Sequence, residues 1–291
     1  MYNILKLKKK FYLNKILKVS KSIFISSIGT IKFNSRNTLI FMSAKRNKLN
    51  TIKNKNVIIL SDALTLKKKN GVIFCKKPRM VFCKILNYLI KNDLIEYKMI
   101  KEKISPKAKI STEATIEKNV QIGQNSVVEN NVIIKSNSII GNNCTIRSGA
   151  IIGGECFSFE RENDKTYSFP YFGNVKIGNN VEIGNNTIIN KSNFGSTKIG
   201  DNTKIDNLVQ IAHNTSIGKN VTITSCVQIG GSVNIRDNVW ICPSSSIMSG
   251  LTIRENVFIG IGSIVIKNIE KNIKVFGNPA REIKDENKKN K

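Results

Sequence analysis

A chain of 291 residues, 40% of them hydrophobic, has room for one elongated domain plus a smaller one, each with its own core. Its formal net charge of +27 is unevenly spread, with 25 basic and 4 acidic side chains in residues 1–103 against 22 and 16 in residues 104–291. No apolar run reaches the roughly eighteen residues of a membrane span, no nucleic-acid motif accompanies the lysines, and six cysteines without paired spacing read as reduced thiols of a cytoplasmic protein, not a disulfide framework.

Residues 1–22 hold the basic cluster Lys8-Lys9-Lys10 beside Phe11, Tyr12 and Leu13. Lacking a sustained apolar core and a small-residue cleavage site, this segment is not read as a targeting signal. A basic surface of this kind suits peripheral contact with an anionic membrane or binding of phosphorylated substrates, and no nucleic acid is expected. From 23 to 100, short apolar runs (Ile23–Ile25, Leu39–Met42, Val57–Leu60, Val72–Cys75) separated by polar turns predict a small α/β domain. The spacing of Val81, Phe82, Ile85, Leu86, Leu89 and Ile90 predicts a linking amphipathic helix over Pro78–Tyr97.

Residues 101–268 are organised differently. From Ile104 to Val265 an aliphatic residue returns at every sixth position, through Ile122, Val128 and Ile134 early and through Ile205, Ile211, Ile217, Ile223 and Ile229 late. Four positions after each anchor stands a small or β-branched residue, such as Val120, Ser126, Val209 or Val227, which shares the inward face of a strand with the next anchor. Gly or Asn fills the positions between, where corners require unusual backbone angles. Each hexapeptide is thus one strand and one corner, and such repeats mark a parallel β-helix. Three strands close a triangular coil, and the array makes roughly eight coils about 38 Å long at strand spacing of about 4.8 Å.

Two excursions interrupt this array. Residues 153–176 form a loop dense in aromatics, with Phe157, Phe159, Tyr167, Phe169, Tyr171 and Phe172, as expected of ligand or subunit contact. Asn190–Lys198 lengthens one hexad by four residues. Residues 269–291 read as a short polar tail containing Gly277-Asn278-Pro279-Ala280.

His213 is the sole histidine. Two positions after Ile211, it falls at a corner, so its side chain leaves the prism and is not needed for the core. A histidine titrates near neutral pH and can accept a proton from an attacking amine or hydroxyl. Gly231, eighteen residues on, stacks one coil away, where the missing side chain lets a backbone N–H approach as an oxyanion donor. Asp206 lies at the preceding corner, out of reach of His213 within one chain, and would orient it only across a subunit interface. One histidine also excludes a three-His zinc site, and no metal is expected.

The stretch Asp206-Asn207-Leu208-Val209-Gln210-Ile211-Ala212-His213-Asn214 resembles the signature of UDP-3-O-acylglucosamine N-acyltransferases. The resemblance runs over about residues 20–268 and takes in the aromatic loop, the lengthened hexad and Lys77-Pro78-Arg79-Met80-Val81-Phe82. It implies a mainly β protein: a left-handed parallel β-helix with a small N-terminal α/β domain that binds uridine, assembled as a homotrimer with active sites between subunits. It implies transfer of a 3-hydroxyacyl group from acyl carrier protein to the 2-amine of UDP-3-O-acylglucosamine, in lipid A biosynthesis, with no cofactor beyond the thioester donor. By matching position, His213 would be the general base, Asp206 its supporting carboxylate and Gly231 the oxyanion donor. Phe41, Phe157, Phe159, Asn207, Gln210 and Asn214 would bind substrate. The Gly277–Ala280 tail instead resembles sugar acetyltransferases, so the alternative is an acyl-CoA-dependent transferase for another nucleotide-linked amino sugar of surface polysaccharide.

Overall fold

The computed structural model describes residues 2–3, 15–17, 24–25, 27–28, 38–42, 58–61, 72–92, 94 and 99–283. The Lys8–Lys10 cluster and the chain beyond Ile283 lie outside them. The chain divides into two compact units: Met1–Lys98 with Phe157–Pro170, and Met99–Cys156 with Tyr171–Lys291. No helix among the described residues is long and apolar enough to cross a membrane.

In the first unit the strands are β1 (Tyr2–Asn3), β2 (Lys15–Leu17), β3 (Phe24–Ile25), β4 (Ser27–Ile28), β5 (Thr38–Met42), β6 (Ile58–Ser61) and β7 (Val72–Phe74); the four expected apolar runs supply β3, β5, β6 and β7, while β1, β2 and β4 fall outside them. Five of them form a sheet in the order β2-β7-β6-β5-β4, parallel except where β2 meets β7. Parallel strands are covered on both faces, which is why they read as continuous apolar runs; Leu39, Ile40 and Leu60 are fully buried. Helix α1 spans Pro78–Lys91. Proline opens it because the first helical N–H needs no intrahelical acceptor. The helix ends earlier than the expected Tyr97, at Asn92, whose Nδ2 turns back to donate to the Tyr88 carbonyl at 2.7 Å. Met80, Phe82, Cys83, Ile85, Leu86 and Leu89 are its buried face.

The aromatic excursion contributes to this same unit. A hairpin of Phe159–Glu162 and Lys165–Ser168 presents ion pairs from Glu160 to Arg79 and from Glu162 to Lys84. Phe169 completes a ring cluster with Phe82 (6.2 Å) and Phe41 (6.3 Å), and the Arg79 guanidinium stands 5.1 Å from its centroid. Burial here pushes the Cys83 thiol up to about 11.

The second unit is the parallel β-helix. Its strands fall into sheets of 8, 8 and 10 members, in which an anchor pairs with the one three hexads on, eighteen residues away wherever no excursion intervenes, as Ile211 with Ile229 and Ile229 with Ile247. The lengthened hexad is absorbed without loss of register, since Ile189 pairs with Ile211. The inward column is nearly solvent-free, with Ile134, Ile152, Ile189, Ile211 and Ile241 at 0% exposure, each such side chain contributing about 1.5–3 kcal/mol by removal from water.

The corners separate two jobs that the sequence ran together. At most coil corners the left-handed backbone falls at the third position after the anchor, for example at Asn125, Asn143, Asn180, Asn214 and Asn238, with φ between 54° and 60°. Gly153 (φ 88°) apart, the glycine directly after an anchor has ordinary φ and is there for space: a Cβ on Gly141 would stand 2.3 Å from the Gly178 carbonyl oxygen of the next coil. Asparagine at the third position also builds ladders along the prism, Asn220 to Asn238 to Asn256 to Asn272 at 2.8–3.2 Å. Past 268 the expected polar tail is instead part of the helix. Ile269 bridges to Ile253 and Lys274–Phe276 pairs with Phe258–Ile259, because Ile269 and Val275 are needed to cover the last coil.

Candidate active site

His213 is held by its backbone from two sides. Its N–H donates to the Cys156 thiol at 3.2 Å, and its carbonyl accepts from Ser232 N–H at 2.8 Å. Ile211 and Thr215 point inward on either side of the corner, and Asn214 supplies the left-handed residue with φ 60°. The imidazole is left half-buried on the outside of the prism. Cys156 also accepts from Asn190 Nδ2 at 2.8 Å, and burial raises its thiol above the ordinary value.

The ring lies against Gly231. A Cβ there would be 2.8 Å from both Cε1 and Nε2, so glycine is the only residue that leaves the ring where it is. Among the described residues the Gly231 N–H has no hydrogen-bond acceptor. On another side the Tyr171 ring meets the imidazole edge to face, 6.1 Å between centroids. The stacking expected between His213 and Gly231 is therefore present as direct contact.

Asp206 is elsewhere. Its side chain is exposed, and its backbone serves the coil stack through Ile223 and Thr187. The group on His213 Nδ1 is Asn214, whose Nδ2 stands 2.8 Å away. Asn214, expected to touch substrate, is thereby engaged with the histidine and with Asn193, whose Oδ1 accepts from the same Nδ2 at 3.0 Å. Asn207 is likewise taken up, its Oδ1 accepting from Asn185 N–H and Nδ2 at 2.7 and 3.0 Å. Gln210 stands in a strand between Ile188 and Gln228, half-exposed on the outer face.

The three aromatics expected at the substrate belong to the other compact unit. Phe41 is packed on Phe82, 4.9 Å between centroids. Phe157 and Phe159 meet edge to face at 4.6 Å beside a shallow depression of about 520 Å³ that Glu160, Arg161 and Thr166 also line, with Phe157 93% exposed. Sequence reasoning did not anticipate Cys156, Asn193 or Tyr171 at the histidine, although the lengthened hexad that contains Asn193 was visible. Among the described residues no three His, Cys, Asp or Glu side chains converge where a metal could sit, and Cys83, Cys144, Cys156, Cys226 and Cys242 lack disulfide partners.

The bacterial transferase hexapeptide (six repeats) family model matches residues 119–154 and 196–231. The chain is 44% identical over 59 residues to a UDP-3-O-acylglucosamine N-acyltransferase of Cytophaga hutchinsonii, and 40% identical over 58 residues to UDP-3-O-acylglucosamine N-acyltransferase 2 of Legionella pneumophila. Each match takes in 20% of this chain and spans only 17% of the length of the relative. Among solved structures, UDP-N-acetylglucosamine acyltransferase from Campylobacter jejuni superposes with a TM-score of 0.52 at 26% identity, over 62% of this chain and 74% of that one. The Arabidopsis UDP-N-acetylglucosamine acyltransferase, at 22% identity and a TM-score of 0.50 over 64% and 73%, shares the fold. The chain is a hexapeptide-repeat protein with the left-handed parallel β-helix fold of these acyltransferases.

Proposed function

We propose that the chain is an acyltransferase acting on a UDP-linked sugar, and that its reaction is N-acylation of UDP-3-O-acylglucosamine by a 3-hydroxyacyl thioester of acyl carrier protein, a step of lipid A biosynthesis. The observation that carries the reading is the half-buried sole histidine in contact with a glycine whose N–H has no acceptor among the described residues. Such a corner offers a proton-handling group and an oxyanion donor within one coil spacing of each other. The similarity to acyltransferases of UDP-sugars supports the acceptor class. In the reaction the amine nitrogen attacks the thioester carbon, the C–S bond breaks, and the amine proton ends on the thiol. No resident cofactor takes part. The active assembly is a cytoplasmic homotrimer, with Asp206 of a neighbouring subunit the remaining candidate for support of the site and the basic first third facing anionic substrate or membrane.

The test is transfer by the purified protein to UDP-3-O-acylglucosamine, comparing 3-hydroxyacyl carrier protein with acetyl-CoA and reading the product by mass spectrometry. Amide formed from the carrier protein is the expected result. Transfer only from CoA, or to a different amino sugar, replaces the reading with the acyl-CoA alternative; no transfer to any UDP-amino sugar overturns it.

A further inference from the structure

The carboxamide of Asn214 has only one orientation compatible with its neighbours. Its Oδ1 faces the Asn193 backbone N–H at 3.0 Å and the Ser192 hydroxyl, and a backbone N–H can only donate. Its Nδ2 is therefore the atom facing His213 Nδ1 at 2.8 Å and Asn193 Oδ1 at 3.0 Å. An amide nitrogen carries two protons and accepts nothing, so the histidine nitrogen opposite it must be the acceptor. We infer that Asn214, pinned by Asn193 of the lengthened hexad, is a positioning residue that holds the neutral His213 ring with its proton on Nε2, so that the ring meets substrate as a hydrogen-bond donor.

This deepens the acyl-transfer reading and rests on it for its consequence. A base acting through Nε2 needs its proton on Nδ1 and an acceptor behind it, as a carboxylate provides. Here that tautomer would set two donors face to face at 2.8 Å. Uptake of the amine proton at Nε2 requires first that the tautomer change, which means turning the Asn214 carboxamide and breaking its bonds to Asn193 and Ser192. The four extra residues of the long hexad thereby acquire a role: they supply the clamp.

The sole histidine makes the test clean. The protein is labelled with 15N-histidine and the two ring nitrogens are assigned by long-range 1H–15N correlation above the titration of the ring, free of any substrate. Protonated and unprotonated ring nitrogens are well separated, and the wild type is expected to show Nε2 protonated. Asn214→Asp retains the left-handed backbone that asparagine and aspartate tolerate and keeps an acceptor for Asn193 N–H. Asn193 can turn its side chain, because its Nδ2 is buried without a hydrogen-bond partner among the described residues and would gain one. In this variant the proton is expected on Nδ1. A wild-type ring protonated on Nδ1 overturns the inference, as does an Asn214→Asp spectrum with the wild-type tautomer. If that variant does not fold, the wild-type spectrum alone decides. Because no acyl transfer is measured, failure of the proposed reaction and failure of the tautomer assignment are separate results.

Discussion

Replacing Gly231 by alanine tests the site through one methyl group. Gly231 has no left-handed backbone angle, so alanine is conformationally acceptable there. The three atoms nearest the new Cβ all belong to the His213 ring: Cε1 and Nε2, at 2.8 Å, and Cδ2 at 3.3 Å. Carbon atoms settle at about 3.5–4.0 Å, so the ring must retreat by roughly 0.7–1.2 Å. That displacement strains the 2.8 Å contact between Nδ1 and Asn214 and moves Nε2 off its position. Misplacement of a reacting group by about 1 Å costs on the order of 10²-fold in rate. The core is untouched, since the ring lies outside the prism, and stability should change by less than about 1 kcal/mol, within the range of surface substitutions. Gly141→Ala is the control: its Cβ would press on backbone 2.3 Å away in the next coil, with no ring to move aside. Overpacking against backbone costs about 1–3 kcal/mol. The assay is acyl transfer alongside thermal melting. Gly231→Ala should lose about a hundredfold in turnover with little change in melting, and Gly141→Ala the reverse. Wild-type turnover in Gly231→Ala would refute the reasoning.

Other consequences follow from the same geometry. His213→Ala should melt like the wild type but transfer acyl groups about 10²- to 10⁴-fold more slowly; full activity in steady-state assays would remove the histidine from the mechanism. Leu208 is 58% exposed with φ 58°, a position filled by asparagine at most corners. Leu208→Asn should relieve roughly 1 kcal/mol of backbone strain and raise the melting temperature by about 2–4 °C, and a lower melting temperature would show that the leucine is held by a contact worth more than the strain. Ile229→Ala opens a cavity in the fully closed column and should cost about 2–5 kcal/mol, read as a shifted urea midpoint. The Asn179 N–H and Lys219 hold the Asp201 carboxyl below its ordinary 3.8. A depressed carboxylate stabilises the fold above its unfolded pKa and loses that contribution as pH falls through the folded value. Acid melts of Asp201→Asn should therefore flatten relative to wild type below about pH 4; parallel curves would assign the acid sensitivity to other groups.

Local rules made much of this molecule legible in advance. A six-residue period with two inward positions per hexad admits one closed solution, so strand positions, coil length and the outward placement of His213 followed from Ile211 and its neighbours alone. The stacking of Gly231 on His213 followed too, because eighteen residues is one coil and the register is carried by backbone pairing. The short strands and α1 were visible for the same reason, as local patterns of apolar spacing. What the chain order could not convey is which polar side chains at adjacent corners satisfy one another. Asn214 and Asn207 look alike as exposed polar residues of one motif, yet each spends its carboxamide on a corner 21–22 residues earlier. Whether Asp206 or Asn214 stands behind His213 turns on side-chain direction and on a four-residue insertion that lifts Asn193 into reach, and neither has a period to read. Phe41 and Phe169 come together through the fold of the first unit, across more than a hundred residues of chain. Repetition determined the scaffold because every coil repeats the same burial and the same hydrogen bonds. The chemistry at the corner was decided by tertiary structure, because it depends on single contacts that occur once.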